Sequence, residues 1–437
     1  MAKGHAARQL CYTPLPMRQP KILTTLRTYT WPLFAGDLFA GITVAMVAIP
    51  LSLAIAIASG ATPENGIVTA IVGGLMISLL GGSRVQIGGP TGAFIVVVFG
   101  VITQHGYDGL VLATFMAGII LLVAGYFRAG RLISYVPEAV VNGFTIGIAL
   151  IIATSQLKDF AGLVMERPPA DFIAQVTALW DARATANVAA VLLAVFTMVV
   201  IIAVRRVVPW FPGPILAVAA ASAIAALGGL SVDTIAGRFG EVTAALAPPS
   251  LPSVSLGRLV ELFPSAVIIA FLAGVESLLS AMVADRMVGG QHRPNAELLA
   301  QGSANVASAL FGGLPATGAI ARTATNVRAG GRTPVAGIVH ALTILLVMLV
   351  AGNLVGYLAM PALAGLLMMT AWNMSEPHKW PTYWAAPMAD RFLLISTLVL
   401  TVAVDLTVAI GVGVSIGLAL RLRARKTEES DWTTPER

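Results

Sequence analysis

Apolar segments of membrane-spanning length follow one another along almost the whole chain. The first seven lie near 38–59, 65–81, 87–103, 109–127, 137–156, 187–204 and 213–229. Seven more lie near 262–284, 297–312, 316–327, 334–351, 354–372, 391–404 and 406–420, and Asp405 separates the last two. Hydrophobic residues make up 57% of the chain and charged residues only 11%, which leaves little mass for a water-soluble domain. The sequence therefore predicts an all-α membrane protein with fourteen transmembrane segments.

The odd number of spans in each half predicts how the two halves are oriented. Seven spans take the chain to the opposite side of the membrane, so a second set of seven is inverted relative to the first, as in many secondary transporters. We expect repeat one at about 31–230 and repeat two at about 260–423, together forming a transport domain at 31–423. The even total places both tails, 1–30 and 424–437, on one side of the membrane.

The distribution of basic residues indicates which side that is. If both tails are cytoplasmic, 21 of the 27 Lys and Arg residues fall in cytoplasmic segments. Five fall in the two longest outside loops, where the positive-inside rule is weakest, and the remaining one, Arg322, lies within a span. We expect a multi-pass plasma-membrane protein, in bacterial terms an inner-membrane protein. The net charge of +6 thus reflects membrane topology, and no nucleic-acid partner is expected.

Two similar interruptions stand at corresponding places in the two halves. Pro90-Thr91-Gly92-Ala93 and Pro315-Ala316-Thr317-Gly318-Ala319 each come shortly after a Gly-Gly pair within an apolar region. Backbone can leave the helix inside a membrane only where protein or a watery cavity satisfies its polar groups. The matching interruptions therefore predict two short half-helices, spans 3 and 10, which meet at mid-membrane and direct their positive ends at an anion.

Few charged residues lie within the predicted spans, and they are functional candidates because a charge inside a membrane is costly. Glu276 lies in mid-span with Ser280 one helical turn away, which suits a coupling-ion site for a proton or for sodium. Arg322 follows the second interruption and suits an anion. Two structural alternatives stay open: a neutral Glu276 that is hydrogen-bonded to backbone, and a structural ion pair between Glu276 and Arg322.

Three motifs resemble those of the SulP sulfate-permease family of anion transporters, which includes the motor protein prestin. They are Gly36-Asp37-Leu38-Phe39-Ala40-Gly41-Ile42-Thr43 with Ile49-Pro50, Val136-Pro137-Glu138-Ala139-Val140-Val141-Asn142-Gly143-Phe144, and Gly330-Gly331-Arg332-Thr333-Pro334-Val335-Ala336-Gly337. The resemblance implies two inverted seven-span repeats, a core domain from spans 1–4 and 8–11, and a gate domain from spans 5–7 and 12–14. It also implies a STAS domain after the last span, whereas this chain stops after a short polar tail. We therefore expect a transport domain without STAS, either because a longer protein was shortened or because that regulation is absent.

The same resemblance implies an anion between the starts of spans 3 and 10, with span 1 as a wall. The residues expected to bind it are Leu51, Ser52, Ile55, Thr91, Gly92, Ala93, Thr317, Gly318, Ala319, Ala321 and Arg322. Glu276, with Ser280 nearby, falls where family members carry the acidic residue of ion coupling, and a Glu there resembles proton-coupled relatives more than sodium-coupled ones. We therefore expect elevator-like proton symport of a small anion of the sulfate, bicarbonate or dicarboxylate class.

Other functions make different demands on the sequence. Sodium-coupled symport needs the same sites with another coupling ion, whereas an uncoupled anion channel or exchanger needs no Glu276. A nucleobase transporter has no evident use for Arg322, because its substrate is usually neutral. A membrane enzyme needs a nucleophile or a metal cluster, and the chain has no H-E-x-x-H motif and a single cysteine, Cys11, in its tail. We expect no enzyme activity, no cofactor and no metal site.

Three remaining features carry less weight. The G-x-S-x-G match at 413–417 lies inside an apolar span with no strand before it, so we attribute it to chance. His340 in span 11 is expected to be a buried histidine with satisfied hydrogen bonds rather than a proton relay. The partners expected are the anion, the coupling ion and the lipid bilayer, and a homodimer is left open.

Overall fold

The computed structural model describes residues 19–130, 137–165, 169, 171–208, 211–240, 246–404, 412 and 415–416. Of the last predicted span, 406–420, only three residues belong to this part of the chain. Asp405, Cys11, the tail 424–437 and most of the first tail lie outside it as well, as does most of the 413–417 motif.

Helices make up most of the first half of the described chain. They are α1 (Lys21–Thr25), α2 (Trp31–Ala58), α3 (Pro63–Leu80), α4 (Ile95–Tyr126), α5 (Glu138–Ala161), α6 (Phe172–Asp181), α7 (Val188–Val207), α8 (Gly213–Leu227) and α9 (Ile235–Phe239). Within α3 a π-helical turn spans Thr69–Gly73, and a two-residue strand, β1 (Gly88–Gly89), lies between α3 and α4. Proline opens α3 at its first position, where the missing N–H costs nothing.

The second half has the same character. Its helices are α10 (Leu256–Val288), α11 (Pro294–Leu310), α12 (Ile320–Arg328), α13 (Val335–Val355), α14 (Met360–Met374), α15 (Trp380–Ala385) and α16 (Met388–Ala403). The second strand, β2 (Thr317–Gly318), lies between α11 and α12. Gly289 ends α10 with a φ of 67°, a left-handed conformation that glycine adopts without strain.

The observed helices can be compared with the predicted spans. Each of the first thirteen predicted spans overlaps a helix, and seven helices of the described chain are long and apolar enough to cross a membrane. One predicted boundary differs. Helix α4 joins the third and fourth predicted spans, 87–103 and 109–127, and bends at Gly106 (φ 73°, ψ 177°) without a separate loop. Glycine permits this bend because it has no Cβ. The total of fourteen and the inverted arrangement stay predictions.

The helices pack as two groups. The larger helix group contains α2, α3, α4, α10, α11, α12 and α13, in which α4 packs against α10 and α11, and α13 packs against α2. The smaller helix group contains α5, α7, α8, α14 and α16, in which α5 packs against α14 and α16. Helix α2 also contacts α8 and α14 and therefore lies at the boundary between the two groups.

Candidate functional site

The two predicted interruptions meet inside the larger helix group. β1 pairs antiparallel with β2, with Gly88 opposite Gly318 and Gly89 opposite Thr317, and the N–H of Ala319 donates to the carbonyl of Ile87 at 2.9 Å. A short 3₁₀ turn, Gly92–Phe94, leads from β1 into α4, while β2 leads directly into α12. We call this paired segment the crossing. Two helices therefore start from one point in the protein, although their sequences are more than 200 residues apart.

Neither helix start at the crossing is capped by a side chain. Thr91 precedes the 3₁₀ turn and Ala319 precedes α12, both in extended conformation and both without a side-chain hydrogen bond to the following N–H groups. The first N–H groups of a helix have no partner within the helix and carry partial positive charge. The crossing thus presents two uncapped positive ends, which is an arrangement that favours a negative ligand.

One face of α11 satisfies the backbone of the second interruption. Asn305 donates through Nδ2 to the carbonyl of Ala316 at 2.8 Å and accepts through Oδ1 from its N–H at 3.0 Å. Ser308 donates through Oγ to the carbonyl of Leu314 at 2.6 Å. Thr69, on α3, accepts from the N–H of Leu314 at 2.6 Å. These bonds supply what a helix would have supplied, which is why the chain can run irregularly at this depth.

The same face of α11 also reaches the loop before the first interruption. The Glu297 carboxylate accepts from the N–H groups of Gly82 and Ser83 at 2.9 and 3.2 Å. Glu297, Gln301, Asn305 and Ser308 are all fully buried and lie at spacings of four, four and three residues. The sequence predicts an ordinary apolar span at 297–312, and this polar face was not expected from it. The signal was present, because that spacing places polar residues on one side of a helix.

Glu276 and Thr91 come together across the two halves. The Thr91 hydroxyl donates to Glu276 Oε2 at 2.8 Å, joining the first helix start to the middle of α10. Thr91 is buried, whereas Glu276 keeps partial exposure. Glu276 makes no hydrogen bond to backbone and no ion pair within the described chain. Thr91 is thus the one described hydrogen-bond partner of Glu276.

Arg322 lies behind the crossing rather than beside Glu276. Its side chain is only 1% exposed, and Nη2 donates to Ser52 Oγ on α2 at 3.0 Å. A Cβ at Gly89 would lie 2.1 Å from Nη1, so glycine is needed where β1 passes over the guanidinium. Nε and Nη1 have no hydrogen-bond partner in the described part of the chain. The structural ion pair with Glu276 is not formed, and the buried charge acts on the crossing through its field.

The other expected anion-binding residues have distinct surroundings. Leu51 is half-buried, whereas Ile55 and Ala93 are buried in the main hydrophobic cluster. A Cβ at Gly92 would lie 3.0 Å from Met374 Sδ, so this helix start faces the smaller helix group. Ala321, at the start of α12, is exposed.

The hydroxyl groups of Ser280 and Thr317 have partners other than Glu276. Ser280 is fully buried, and its Oγ lies 3.3 Å from Thr323 Oγ1. The Thr317 hydroxyl donates to the Ala273 carbonyl at 3.0 Å. Helical spacing correctly places Ser280 near Glu276 along α10, but the neighbouring α12 offers it a closer partner. The oxygen atom that contacts Glu276 is that of Thr91.

His340 differs from its expectation. It is fully buried on α13, as expected, but neither Nδ1 nor Nε2 has a hydrogen-bond partner in the described part of the chain. Its ring packs against α3, where a Cβ at Gly74 would lie 3.7 Å from His340 Cε1. The expectation of satisfied hydrogen bonds is therefore wrong, because the small residues of α3 admit the ring without supplying a polar partner.

Two of the motifs that carried the resemblance contact each other. The buried Asp37 of α2 accepts from the N–H groups of Arg332 and Thr333 at 2.8 and 3.1 Å, and also from the Thr333 hydroxyl. The Tyr29 hydroxyl donates to the same carboxylate at 3.0 Å. Burial and the adjacent Asp37 raise the pKa of Tyr29 to about 12. Asp37 thus ties the start of α2 to the turn between α12 and α13.

Metal ligation finds no support in the described residues, which contain no group of three or more His, Cys, Asp or Glu side chains able to hold an ion. Glu276 has one hydroxyl beside it rather than a cluster of carboxylates.

Comparison with known proteins gives a consistent result. The profile of the Sulfate permease family matches residues 34–397. YvdB of Bacillus subtilis, named provisionally as a sulfate transporter, is 44% identical over 379 residues, which are 86% of this chain and 72% of that protein. The bicarbonate transporter BicA of Synechocystis is 32% identical over 378 residues, covering 85% of this chain and 66% of that protein.

Solved structures agree with the sequence comparisons. The transmembrane domain of a cyanobacterial bicarbonate transporter, BicA, superposes with a TM-score of 0.79 at 30% identity, covering 88% of this chain and 99% of that one. SLC26A9 gives a TM-score of 0.84 at 18% identity, covering 93% of this chain and 68% of that one. The second likeness concerns the fold alone.

Proposed function

This chain belongs to the sulfate permease family, whose relatives are named as transporters rather than enzymes, and on that premise we propose that it is a secondary transporter of a small anion. The proposed substrate is an inorganic or organic anion of the sulfate, bicarbonate or dicarboxylate class. The names of the similar proteins, sulfate and bicarbonate transporters, support that class. The proposed membrane is the bacterial inner membrane, with both termini in the cytoplasm.

One observation carries the proposal. Two uncapped helix starts leave a single crossing, with a buried guanidinium behind them and a partly exposed carboxylate bonded to one of them. The helix starts and Arg322 favour a negative ligand, and they are built into the protein rather than formed by mobile surface side chains. The anion is proposed to lie against Thr91, Gly92, Ala319 and Ala321, next to Leu51.

Glu276 is the proposed coupling group. An anion bound beside an ionised Glu276 is repelled by it, whereas a protonated Glu276 removes the repulsion. Proton binding and anion binding therefore strengthen each other, and by linkage each ligand raises the affinity for the other by the same factor. This reciprocity is what a proton symporter needs. Sodium is less favoured because Ser280 is bonded to Thr323 and does not face the carboxylate.

Movement of the larger helix group past the smaller one is the proposed route across the membrane. The crossing lies within the larger group, and at Gly92, where the chain leaves it, the nearest atoms of the smaller group belong to the side chains of Met374 and Ile152. An elevator-like shift could carry the site from one side to the other without breaking the crossing. Inverted repeats, a core and a gate domain are part of this proposal.

The test is uptake of labelled sulfate, bicarbonate and dicarboxylates into proteoliposomes under imposed proton or sodium gradients. We expect accumulation of at least one of these anions in sodium-free buffer with an inward proton gradient. Glu276→Gln, which mimics the protonated acid, should abolish accumulation against a concentration gradient while leaving downhill exchange. Uptake that requires sodium, or uptake by Glu276→Gln that still concentrates the anion, contradicts proton coupling. Passive flux that ignores both gradients favours a channel.

A further inference from the structure

We propose that Glu297 is a positioning residue of the transport site, which holds the crossing in place through Ser277 and Gln86. The inference rests on the proposed function, because it concerns how the same site is kept in shape. It assigns different tasks to two acids on neighbouring helices, of which Glu276 faces the ligand and Glu297 does not. The observation that carries it is a connected set of short hydrogen bonds between fully buried groups.

The Glu297 carboxylate is surrounded by donors only. Oε2 accepts from the N–H groups of Gly82 and Ser83 at 2.9 and 3.2 Å. Oε1 accepts from Ser277 Oγ at 3.0 Å and from Gln301 Nε2 at 2.9 Å. The side chain is fully buried. An ionised carboxylate accepts hydrogen bonds at both oxygens and donates none, so this environment matches the ionised acid.

The carboxylate is connected to the crossing by two further side chains. Gln86 Nε2 donates to Ser277 Oγ at 2.9 Å and to the Ser277 carbonyl at 3.0 Å. Gln86 packs directly against β2, because a Cβ at Gly318 would lie only 1.4 Å from Gln86 Nε2. The next residue, Ile87, donates through its N–H to Thr323 Oγ1 at 3.1 Å and accepts from Ala319. A displacement at Glu297 therefore reaches both strands and the first turn of α12.

The two acids differ in accessibility and in partners. Glu276 has one described hydrogen bond, from Thr91, and is partly exposed. Glu297 has four and is fully buried. Ser277, directly after Glu276 in α10, donates to Glu297, so one turn of α10 carries the ligand-facing acid and the link to the supporting one. A group with four fixed donors suits support rather than exchange of a coupling ion.

Glu297→Gln removes one of the two acceptor oxygens of the side chain and hardly changes its shape. Glutamine offers one acceptor oxygen and an amide NH₂, so the NH₂ must face either the Gly82 and Ser83 N–H groups or Ser277 and Gln301. Donors then face donors, and at least one buried polar group loses its partner. Exchanging the two side chains, Glu297→Gln with Gln301→Glu, returns a carboxylate one turn along α11. The amide at 297 can then donate to that carboxylate while its oxygen accepts from Gly82 and Ser83, which restores the pairing between positions 297 and 301. The exchange is thus a rescue that keeps net charge.

The experiment measures anion uptake kinetics in proteoliposomes for the wild type, Glu297→Gln, Gln301→Glu and the exchanged double variant. Asp390→Asn, the same chemical change at an exposed position on α16, is the matched control. Rates are expressed per monodisperse, folded transporter, so that loss of protein does not count as loss of function. We expect KM to rise about tenfold or more in each single variant at a similar limiting rate, and to return within about threefold in the double variant.

A second readout does not depend on transport. Hydrogen–deuterium exchange of a peptide covering 82–89 should quicken about tenfold in Glu297→Gln and not in Asp390→Asn. If the wild type carries no anion, the proposed function fails, and exchange in this peptide still decides whether Glu297 holds the crossing. If Glu297→Gln does not fold, Ser277→Ala takes its place, because it removes the hydroxyl that connects Glu297 to Gln86 and keeps both the carboxylate and the bond from Gln86 to the Ser277 carbonyl. An unchanged KM with unchanged exchange, in whichever variant folds, overturns the proposal.

Discussion

The two interruptions of this chain have nearly the same sequence, but their matching residues differ in conformation and in contacts. Gly92 begins a 3₁₀ turn after β1, whereas Thr317–Gly318 form β2 itself. In the first, the Thr91 hydroxyl faces Glu276 and Gly92 faces the smaller helix group. In the second, the Thr317 hydroxyl bonds to the Ala273 carbonyl and Gly318 packs against Gln86. In the proposed site, the first interruption contacts the ligand, whereas the side chains of the second pack against α10 and Gln86. Sequence similarity between the two segments therefore predicted where the chain leaves the helix, but neither the conformation nor the contacts of the matching residues.

The charge behind the crossing also belongs to the second segment alone. Arg322 follows β2 and reaches back under β1, where Gly89 leaves room for it. No cation stands at the corresponding place of the first segment, where Val96 packs against the main hydrophobic cluster. The pair is thus asymmetric, with one segment giving the hydroxyl and the other giving the positive charge. Substitutions at matching positions can separate the two contributions.

The largest effect is expected from Arg322→Ala, which removes the charge that only the second segment carries. Loss of one partner of a buried charged contact costs about 2–5 kcal/mol, and we expect anion uptake to fall by a factor of at least 30. Arg328→Ala, at the exposed end of the same helix, is the control and should transport normally. Initial uptake rates in proteoliposomes measure both. Wild-type uptake by a folded Arg322→Ala would remove Arg322 from the site.

The next effect separates the two glycines. In Gly318→Ala the new methyl group displaces Gln86, which then gives up its two hydrogen bonds to Ser277, so we expect a loss of about 1–3 kcal/mol in stability. In Gly92→Ala the nearest atom is the end of the flexible Met374 side chain, so folding should be nearly unchanged. Thermal unfolding in detergent compares the two. Equal unfolding temperatures of Gly318→Ala and Gly92→Ala would show that the second segment is packed no more tightly than the first.

The two threonines give a smaller and more selective contrast. Thr91→Val removes the hydroxyl that donates to Glu276, and we expect uptake to fall about tenfold, the value of one hydrogen bond to a carboxylate. Thr317→Val removes a bond to a backbone carbonyl, so it should cost about 1 kcal/mol of stability and leave proton dependence unchanged. Uptake at several external pH values tests both variants. An altered proton dependence in Thr317→Val alone would reverse the assignment.

The smallest effect concerns a contact between the N-terminal segment and the loop before the first interruption. The N–H of Lys21 donates to the carbonyl of Gly81 at 2.8 Å, which places the N-terminal segment on the loop before β1. Burial, with Arg293 and Arg84 nearby, lowers the pKa of Lys21 to about 8. The folded protein then holds fewer protons than the unfolded chain between about pH 8 and pH 10, so stability should rise with pH in that window.

Lys21→Met should remove this part of the pH dependence. We expect the difference in Tm between wild type and variant to shift in favour of the wild type as the pH rises from 7 to 10. Differential scanning fluorimetry at matched detergent concentration measures that difference. A constant difference across this range would show that Lys21 has no perturbed titration.

Several features could be predicted from the sequence because they follow from local chemistry. Long apolar runs cannot be dissolved in water, so the class of protein was predictable, and both the family and the absence of an enzyme relationship are confirmed by the comparisons. Proline and glycine at 90–92 and 315–318 cannot continue a helix, so both interruptions could be located. Glu276 and Arg322 stood out because an apolar span seldom carries a charge. Each of these inferences uses only the residues of one segment and requires no knowledge of what packs against it.

Partners across the fold were decided only by the tertiary structure. Helical spacing associated Ser280 with Glu276, but packing of α12 against α10 gives Ser280 to Thr323 and brings Thr91 to the carboxylate from 185 residues away. The sequence placed Arg322 at the second interruption without showing that it turns toward Ser52 behind β1. Glu297 looked like the edge of a span until the loop at 82–83 was seen to bond to it. The pattern along one segment determines which face a side chain occupies, whereas its partner depends on which distant backbone is packed against that face.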